Sequence, residues 1–404
     1  MLSLRDPIHG FIRADDLESA LLKSRPLQRL RFVRQLGWTF LIFPGAEHSR
    51  FSHVLGTMHL AGRLYDALAS KSGGRLPAEA GCRERRLARV AALLHDIGHA
   101  PFSHSAEDLF DEEIDHEEMT CRLLRTAEIE RIFHDAGGGI DAEAVIRVLT
   151  KTGEDDAERL LTEIITSELD VDKMDYLLRD SLYCGVRYGH FDLERLLDTV
   201  EPLEDPITGH WRIGVSHGGV HALEALVMAR YYMFTQVYFN VTGKVMELHY
   251  AAWLRGAGRR WPVDPESFLE HDDMTVLAEM RRSQDPHARA VVHRERFTLA
   301  FETEEHLTPE RQTRFASLLP GLRERFGSAL LVDHSAKNPH RLGENRVLVK
   351  RFDGALQPMD EASDFIAHMS MINSYRVYSE PSLSAEVAAT IREQWSELSS
   401  PSRE

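Results

Sequence analysis

Residues 93–104 read LLHDIGHAPFSH, and they continue a segment, RERRLARVAA, whose apolar side chains recur at helical spacing. His95 extends the apolar face of this segment because it follows Ala91 by four residues. Gly98 fits the end of a helix. The stretch therefore predicts an α-helix that carries a histidine on its buried face, with Asp96 directly after it.

A second apolar face runs through AERLLTEIITSELDVDKMDYLLRD, residues 157–180. Asp172 lies three residues after Leu169 and four before Tyr176, which places a carboxylate on that face. A buried carboxylate without a partner costs several kcal/mol. A divalent cation would supply the partner, so the pattern indicates a metal site.

Histidines are concentrated in one part of the chain, with seven of the 21 between His48 and His116. A lone His-Asp pair is more often a helix-end hydrogen bond or a surface pair, and a lone Asp in a helix usually faces solvent. The full string HDIGHAPFSH is much less expected by accident. A third helix, beginning at SHVLGTMHLAG, adds another histidine. The resulting set suits Mn, Fe, Mg or Zn and consists of His53, His95, Asp96 and Asp172.

The composition limits the classes of partner. The chain has 404 residues, of which 43% are hydrophobic and 28% charged, a globular balance that excludes a wholly disordered or fibrous protein. The formal net charge of -16 opposes binding to duplex nucleic acid and to anionic lipid. An anionic substrate must therefore meet a local positive feature, such as an arginine cluster or a bound cation.

The chain has three cysteines and no CxxC pair, which fits a reducing compartment. Its first residues lack a basic region followed by an apolar core, and no apolar run approaches the roughly 20 residues needed to span a bilayer. We therefore expect a cytoplasmic protein without a membrane partner.

The predicted secondary structure changes near residue 260, from mainly helices to a mixture of strands and helices. Residues 17–250 show mainly helical spacing, whereas the segments RERFTLAFETEE, SALLVDH, NRVLVKRFD and SYRVYSE read as strands, and HDDMTVLAEMRR and LSAEVAATIREQW read as helices. The sequence predicts a mainly α protein, with a helical domain over residues 1–260 and a smaller α+β region over residues 261–404 packed on it.

The motifs HSRFSH, LLHDIGHAPFSH, DHEE and DVDKMDYLLRD occur in the order and approximate separation seen in the HD-domain phosphohydrolases, which this chain resembles. The most similar branch is that of the deoxynucleoside triphosphate triphosphohydrolases, and DPIHGFI, PLQRLRFVRQLG and FPGAEHSRFSHVLGTMHLAG strengthen the match. The resemblance covers roughly residues 4–250. It implies a helical fold, a divalent metal held by the four residues named above, and a homo-oligomer, either dimer or tetramer.

Phosphoester cleavage also needs a proton donor for the departing oxygen. His104 with Glu107 three residues later would make an oriented acid on a helix, because the carboxylate holds the imidazole and raises its pKa. The resemblance also implies His99 and His116 in the active site. The alternative is that His104 and His116 satisfy loop carbonyls.

The resemblance assigns substrate binding to Arg50, Lys173, Tyr176 and Asp180, although the same residues would also fit an ordinary salt-bridged helix edge. By the same resemblance, Gln35 and Leu36 border the sugar. The implied reaction is hydrolysis of a dNTP to the deoxynucleoside and inorganic triphosphate. The alternatives are an HD-domain hydrolase of another phosphoester, such as a nucleoside monophosphate or a signalling nucleotide, and a non-catalytic nucleotide sensor.

Overall fold

The computed structural model describes residues 2–103, 109–110, 114–153, 155–338 and 347–399. The predicted mainly α fold with a smaller C-terminal α+β part is confirmed. In these ranges no helix is both long and apolar enough to cross a membrane.

Helices form most of the first 256 residues. Their bounds are α1 Asp16–Leu21, α2 Arg25–Arg29, α3 Arg50–Lys71, α4 Arg83–Leu94, α5 His116–Leu124, α6 Ala127–Ala136, α7 Ala142–Leu149, α8 Asp156–Ile165, α9 Val171–Cys184, α10 Leu193–Thr199, α11 Val220–Met233 and α12 Val241–Gly256. Helix α3 packs against α4 and α9, and all three contribute buried apolar residues to one core. A π-helical turn, Phe234–Tyr238, joins α11 to α12.

Two predicted helix boundaries are wrong. Helix α4 ends at Leu94 with His95 as its C-cap, so Gly98 is not the helix end. The continuous face predicted over residues 157–180 is two helices, because Asp170 caps α9 by accepting a hydrogen bond from the backbone N–H of Lys173 at 2.8 Å. Asp172 therefore lies in the first turn of a new helix.

The strands form three small sheets. Their bounds are β1 Leu2–Asp6, β2 Gly10–Ala14, β3 Val200–Glu204, β4 Trp211–Ser216, β5 Thr298–Glu302, β6 Leu330–Lys337, β7 Leu348–Lys350, β8 Leu356–Pro358 and β9 Ile372–Ser379. The sheet orders are β1-β2, β3-β4-β7-β8 and β5-β9-β6, and only the β4-β7 pairing is parallel among the described strands. The four predicted strands are confirmed as β5, β6, β7 and β9. The hairpins β1-β2 and β3-β4 were not predicted.

The C-terminal helices are α13 Pro265–Phe268, α14 Asp273–Arg282, α15 Pro286–Val292, α16 Pro309–Phe326, α17 Met359–Ala362, α18 Asp364–Ala367 and α19 Ser384–Ser399. The main hydrophobic core continues past residue 260, since it includes Trp261, Phe268 and Val291. A second core forms around Phe315, Val377 and neighbouring residues of the tail. The division at residue 260 stays a prediction.

Candidate active site

Three segments converge on one point. Helix α3 contributes His53, the residue after α4 is His95, and the first turn of α9 contributes Asp172. One ligand atom from each side chain lies within 4.8 Å of the other two. Oδ1 of Asp172 lies 3.0 Å from Nε2 of His53 and 3.7 Å from Nε2 of His95. The structure thus brings three of the four predicted metal ligands together.

The two imidazoles present the same nitrogen to this point. His53 Nδ1 donates a hydrogen bond to Oδ2 of Asp175 at 2.9 Å, and His95 Nδ1 donates to the carbonyl oxygen of Ala92 at 2.7 Å. A neutral ring with its proton on Nδ1 keeps the Nε2 lone pair for a ligand. Both Nε2 atoms are buried and accept no hydrogen bond from the described residues. This donor set fits a divalent cation.

Asp96 lies beside the same point, but its carboxylate also forms an ion pair with Arg50. Its Oδ1 lies 3.3 Å from Nε2 of His95, and its Oδ2 lies 3.8 Å from Nε2 of His53. Arg50 Nη1 donates to Oδ2 of Asp96 at 2.5 Å, while Arg50 Nε donates to Oγ of Ser103 at 2.8 Å. One oxygen of Asp96 is therefore engaged by Arg50, and its role as a ligand stays a prediction.

Positively charged neighbours keep the carboxylates of the group ionised. Burial opposes ionisation of Asp96, yet Arg50 and the two histidines hold its pKa below the usual range. Burial likewise opposes charge on Asp172, but its imidazole neighbours hold its pKa well below the usual range. The pKa of His53 rises to about 10 because Asp172 and Asp175 outweigh the effect of burial, so a divalent cation would bind Nε2 in place of a proton. The carboxylates therefore remain ionised at neutral pH.

Gly98 allows the loop after α4 to approach α5 closely. A Cβ at this residue would lie 2.2 Å from the carbonyl oxygen of His116 and 2.5 Å from the backbone nitrogen of Thr120. The approach brings the rings of His99 and His116 into an edge-to-face contact with centroids 4.1 Å apart. His99 Nε2 also lies 3.5 Å from Oδ1 of Asp96. The structure thus places both histidines next to the candidate centre.

A cavity of about 590 Å³ opens onto the group, a size typical of small-molecule sites. Its walls come from both halves of the chain, since Lys337 of β6 lines it together with residues of α9 and α11. His53 lies fully buried outside this lining. The predicted residues that line the cavity are Gln35, Leu36, Arg50, His95, Asp96, His99, His116, Asp172, Lys173, Tyr176 and Asp180.

Some lining residues already have partners. Lys173 Nζ donates to Oδ2 of Asp170 and to the carbonyl oxygen of Ser167, both at 2.6 Å. Asp180 accepts hydrogen bonds at 2.8 Å from Nε2 of His48 and from the hydroxyl of Tyr238. These contacts orient the side chains along the cavity wall. His104 and Glu107 lie outside the described residues, so their predicted role as an acid pair has no structural test.

The sequence reasoning missed two features of the site. Asp175 accepts a hydrogen bond from His53 and lies fully buried, although it belongs to the quoted DVDKMDYLLRD motif. Arg230 lines the cavity from α11, and its Nη1 lies 3.2 Å from Oε2 of Glu168. A charged residue in the largely apolar segment VHALEALVMARYYM was a signal that could have identified Arg230.

Comparison with known proteins places these residues in a family. The HD domain model matches residues 50–180, which contain the converging side chains, and the HD associated region model matches residues 191–300. A crystal structure of a hypothetical protein from Aquifex aeolicus superposes with a TM-score of 0.82 at 32% identity, covering 96% of this chain and 99% of that one.

Two curated relatives are similar over shorter segments. The uncharacterized protein YwfO of Bacillus subtilis is 40% identical over 246 residues, 60% of this chain and 53% of the relative. The deoxynucleoside triphosphate triphosphohydrolase SAMHD1 homolog of Dictyostelium discoideum is 29% identical over 296 residues, 70% of this chain and 55% of the relative. The matched segments thus span about half the length of these relatives. The chain belongs to the HD-domain phosphohydrolase superfamily, in the branch that contains the deoxynucleoside triphosphate triphosphohydrolases.

Proposed function

We propose that the protein hydrolyses deoxynucleoside triphosphates to the deoxynucleoside and inorganic triphosphate with a divalent cation, Mn²⁺ or Mg²⁺. The observation that carries this proposal is the convergence of His53, His95 and Asp172 within 4.8 Å beside an open cavity. The cavity is lined by Tyr176 and Tyr238, whose rings lie 6.2 Å apart and offer apolar surface to a sugar or base.

The charge of the lining supports a metal-dependent site for an anionic substrate. Among the described residues, five basic side chains and six carboxylates line the cavity. A bound divalent cation would make the summed charge of these described residues positive, which favours a triphosphate. The basic residues are Arg50, Lys173, Arg230, Lys244 and Lys337.

His53, His95 and Asp172, with Asp96, would hold the cation. When bound, such a cation polarises a phosphoryl oxygen and lowers the pKa of water toward neutrality. The planar fork of Arg50, oriented by Ser103 and Asp96, would neutralise charge on the phosphate. In the proposed reaction, water adds to the α-phosphorus and releases a proton to solvent, the bond from that phosphorus to O5′ breaks, and His104 supplies a proton to O5′.

A product assay tests the proposal. The purified chain is incubated with each of the four dNTPs and Mn²⁺ or Mg²⁺, and the products are resolved by anion-exchange chromatography. Tripolyphosphate and deoxynucleoside as the initial products support the proposal. Orthophosphate or pyrophosphate as the first product would instead indicate a hydrolase of another phosphoester, and tight nucleotide binding without turnover would indicate a sensor.

The sequence also predicts a homo-oligomer in the cytoplasm. Sedimentation of the purified chain at several concentrations would separate a monomer from a dimer or tetramer.

A further inference from the structure

Several hydrogen bonds converge on the carboxylate of Asp175, next to the candidate metal centre. It is fully buried, and its Oδ2 accepts the Nδ1 proton of His53 at 2.9 Å. Arg179 donates to the same carboxylate from Nε at 2.7 Å and from Nη2 at 2.9 Å. His9 lies with Nε2 at 2.7 Å from Oδ1. Four donors thus hold this carboxylate in one orientation.

The N-terminal hairpin β1-β2 supplies two of the groups that build this network. Oδ1 of Asp6 accepts the backbone N–H groups of Ile8 and His9, both at 2.9 Å, which shapes the turn of the hairpin. Oδ2 of Asp6 accepts a hydrogen bond from Nη1 of Arg179 at 2.8 Å. The same aspartate therefore forms the turn that presents His9 and fixes the guanidinium that holds Asp175.

Helix α3 is shaped to receive the network. Gly56 lies three residues after His53, and a Cβ at this position would lie 1.8 Å from Oδ1 of Asp175 and 2.5 Å from Nη2 of Arg179. Only a residue without a side chain lets the carboxylate lie against α3 at this level. The glycine, the hairpin and α9 thus fit one another around the Nδ1 side of His53.

Stabilisation alone does not account for this network. Burying two carboxylates with one guanidinium costs desolvation that apolar residues of similar volume would avoid. The position of the network supplies a different reason, because a carboxylate on Nδ1 fixes the tautomer and the plane of an imidazole whose Nε2 faces a cation.

We propose that Asp175, held by Arg179 and by His9 of the N-terminal hairpin, is a positioning residue that fixes the ring of His53 for metal binding. The hairpin is then a structural part of the metal centre, although it supplies no ligand. This inference rests on the proposed function, because it requires that His53 binds the cation.

Calorimetric titration of the chelator-stripped, full-length protein with Mn²⁺ tests the inference. We expect Asp175→Asn and His9→Ala to weaken Mn²⁺ binding by roughly 10- to 100-fold, the usual effect of removing a group that orients a metal ligand. His9→Gln should restore most of the affinity, since its amide nitrogen can reach the place of the imidazole Nε2. Phe11→Ala, on the exposed side of the same hairpin, is the matched control and should bind Mn²⁺ like the wild type.

The outcomes separate the possible roles. If Asp175→Asn does not fold, the comparison of His9→Ala with His9→Gln decides. Variants that melt at lower temperature but bind Mn²⁺ with unchanged affinity would show a structural role only and overturn the inference. Loss of binding in Asp172→Ala together with normal binding in His9→Ala would also overturn it, while leaving the proposed function intact. A wild type that binds Mn²⁺ but hydrolyses no dNTP would overturn the proposed function and leave the positioning role supported by the binding data.

Discussion

Arg50 and Asp96 form a buried ion pair in the wall of the cavity, with 2.5 Å between Nη1 of the guanidinium and Oδ2 of the carboxylate. The same guanidinium donates from Nε to the hydroxyl of Ser103, which in turn donates to the carbonyl oxygen of Arg34. Arg50 is therefore fixed on two sides beside the candidate metal centre. A planar fork held in this way can bind a phosphate without losing further side-chain freedom.

Replacing Arg50 with lysine should therefore show whether the shape of the guanidinium matters in addition to its charge. We expect Arg50→Lys to lower kcat/KM for a dNTP by roughly 10- to 100-fold, because lysine keeps the charge but cannot bridge Ser103, Asp96 and a phosphate at once. Steady-state kinetics on each variant measure the effect. Arg31→Lys, on the surface above Phe51, is the control and should leave kcat/KM unchanged. A fully active Arg50→Lys enzyme would remove the fork from the proposed mechanism.

Substitution of a candidate metal ligand should abolish metal retention and activity together. We expect Asp172→Ala and His95→Ala to abolish both, because each removes one of the three converging donors, while the far-UV circular dichroism stays nearly unchanged. Metal analysis of the purified variants beside a product assay measures both quantities. Asp135→Ala, on the exposed surface of α6, should retain wild-type metal content. An active, metal-loaded Asp172→Ala protein would contradict the assignment.

Substitution of the predicted proton donor, His104, should affect turnover but not metal content. We expect His104→Ala to keep the metal but to slow turnover by roughly 10²- to 10⁴-fold, the usual contribution of a general acid. Metal content and single-turnover rates distinguish this from ligand loss. His134→Ala, which removes a strongly exposed imidazole, serves as the control. Full activity of His104→Ala would exclude His104 from the mechanism.

The sequence predicted the identity of the converging residues better than their local structure. His95 and Asp172 were placed on continuous helical faces, whereas one follows the last turn of α4 and the other opens α9. Periodicity cannot show that Asp170 accepts the N–H of Lys173 and starts a new helix, because a capping contact depends on the backbone direction. The motifs nevertheless included the three side chains that converge in the structure, since a change in helix boundary leaves their order and spacing in the sequence unchanged.

Contacts between residues far apart in the chain could not be predicted from the sequence. Nothing in the spacing connects His9 to Asp175, which are 166 residues apart, or Lys337 to the cavity. The N-terminal hairpin was missed because its strands are only five residues long and alternate weakly. Such features depend on how the elements pack together, which one sequence does not determine by pattern alone.

A buried histidine outside the site, His249, should make the stability depend on pH. His249 Nε2 accepts the backbone N–H of Phe297 at 3.1 Å, so its proton lies on Nδ1 and is donated to Nδ1 of His287 at 2.9 Å. Burial, with a smaller effect of His287, lowers the pKa of His249 to about 4. The unfolded chain, with an ordinary histidine pKa, then binds more protons than the folded chain between about pH 6.5 and pH 4.

Stability should therefore fall as the pH decreases through this window, and His249 should contribute about 2 kcal/mol of the loss between pH 7 and pH 5. His249→Gln keeps an acceptor for Phe297 but does not titrate. We expect the difference in the free energy of unfolding between the wild type and His249→Gln to shrink by that amount, as measured by urea denaturation in the presence of chelator. If the free energy of unfolding of the two proteins changed with pH in parallel, His249 would not be the source of the pH dependence.

Asp273 holds the segment that leads away from the candidate centre. Phe102 and Ser103 both adopt a φ of +58°, in the left-handed region that residues with side chains rarely occupy. Oδ1 of Asp273 accepts the backbone N–H of Phe102 at 2.7 Å, and Oδ2 accepts that of Arg34 at 2.9 Å. The ring of Phe102 stacks on Trp38 with centroids 3.8 Å apart. A carboxylate from α14 thus stabilises a strained turn that carries Ser103, the partner of Arg50.

Removing this carboxylate should cost both stability and activity. Asp273→Ala leaves the buried N–H of Phe102 and the partly buried N–H of Arg34 without their acceptors, and we expect a loss of about 2 to 5 kcal/mol in the free energy of unfolding. Asp273→Asn can still accept one of the two hydrogen bonds and should lie between Asp273→Ala and the wild type. Met274→Ala, at the next and largely exposed residue of α14, is the matched control for urea denaturation.

The activity of the folded Asp273→Asn protein shows whether the turn positions Arg50. If the strained turn relaxes, Ser103 moves from Nε of Arg50, and KM for a dNTP should rise while metal affinity stays unchanged, because the contacts of Asp273 do not involve His53, His95 or Asp172. A variant with reduced stability but an unchanged KM would limit Asp273 to a structural role. A variant that loses Mn²⁺ in parallel with stability would show that α14 supports the metal centre itself.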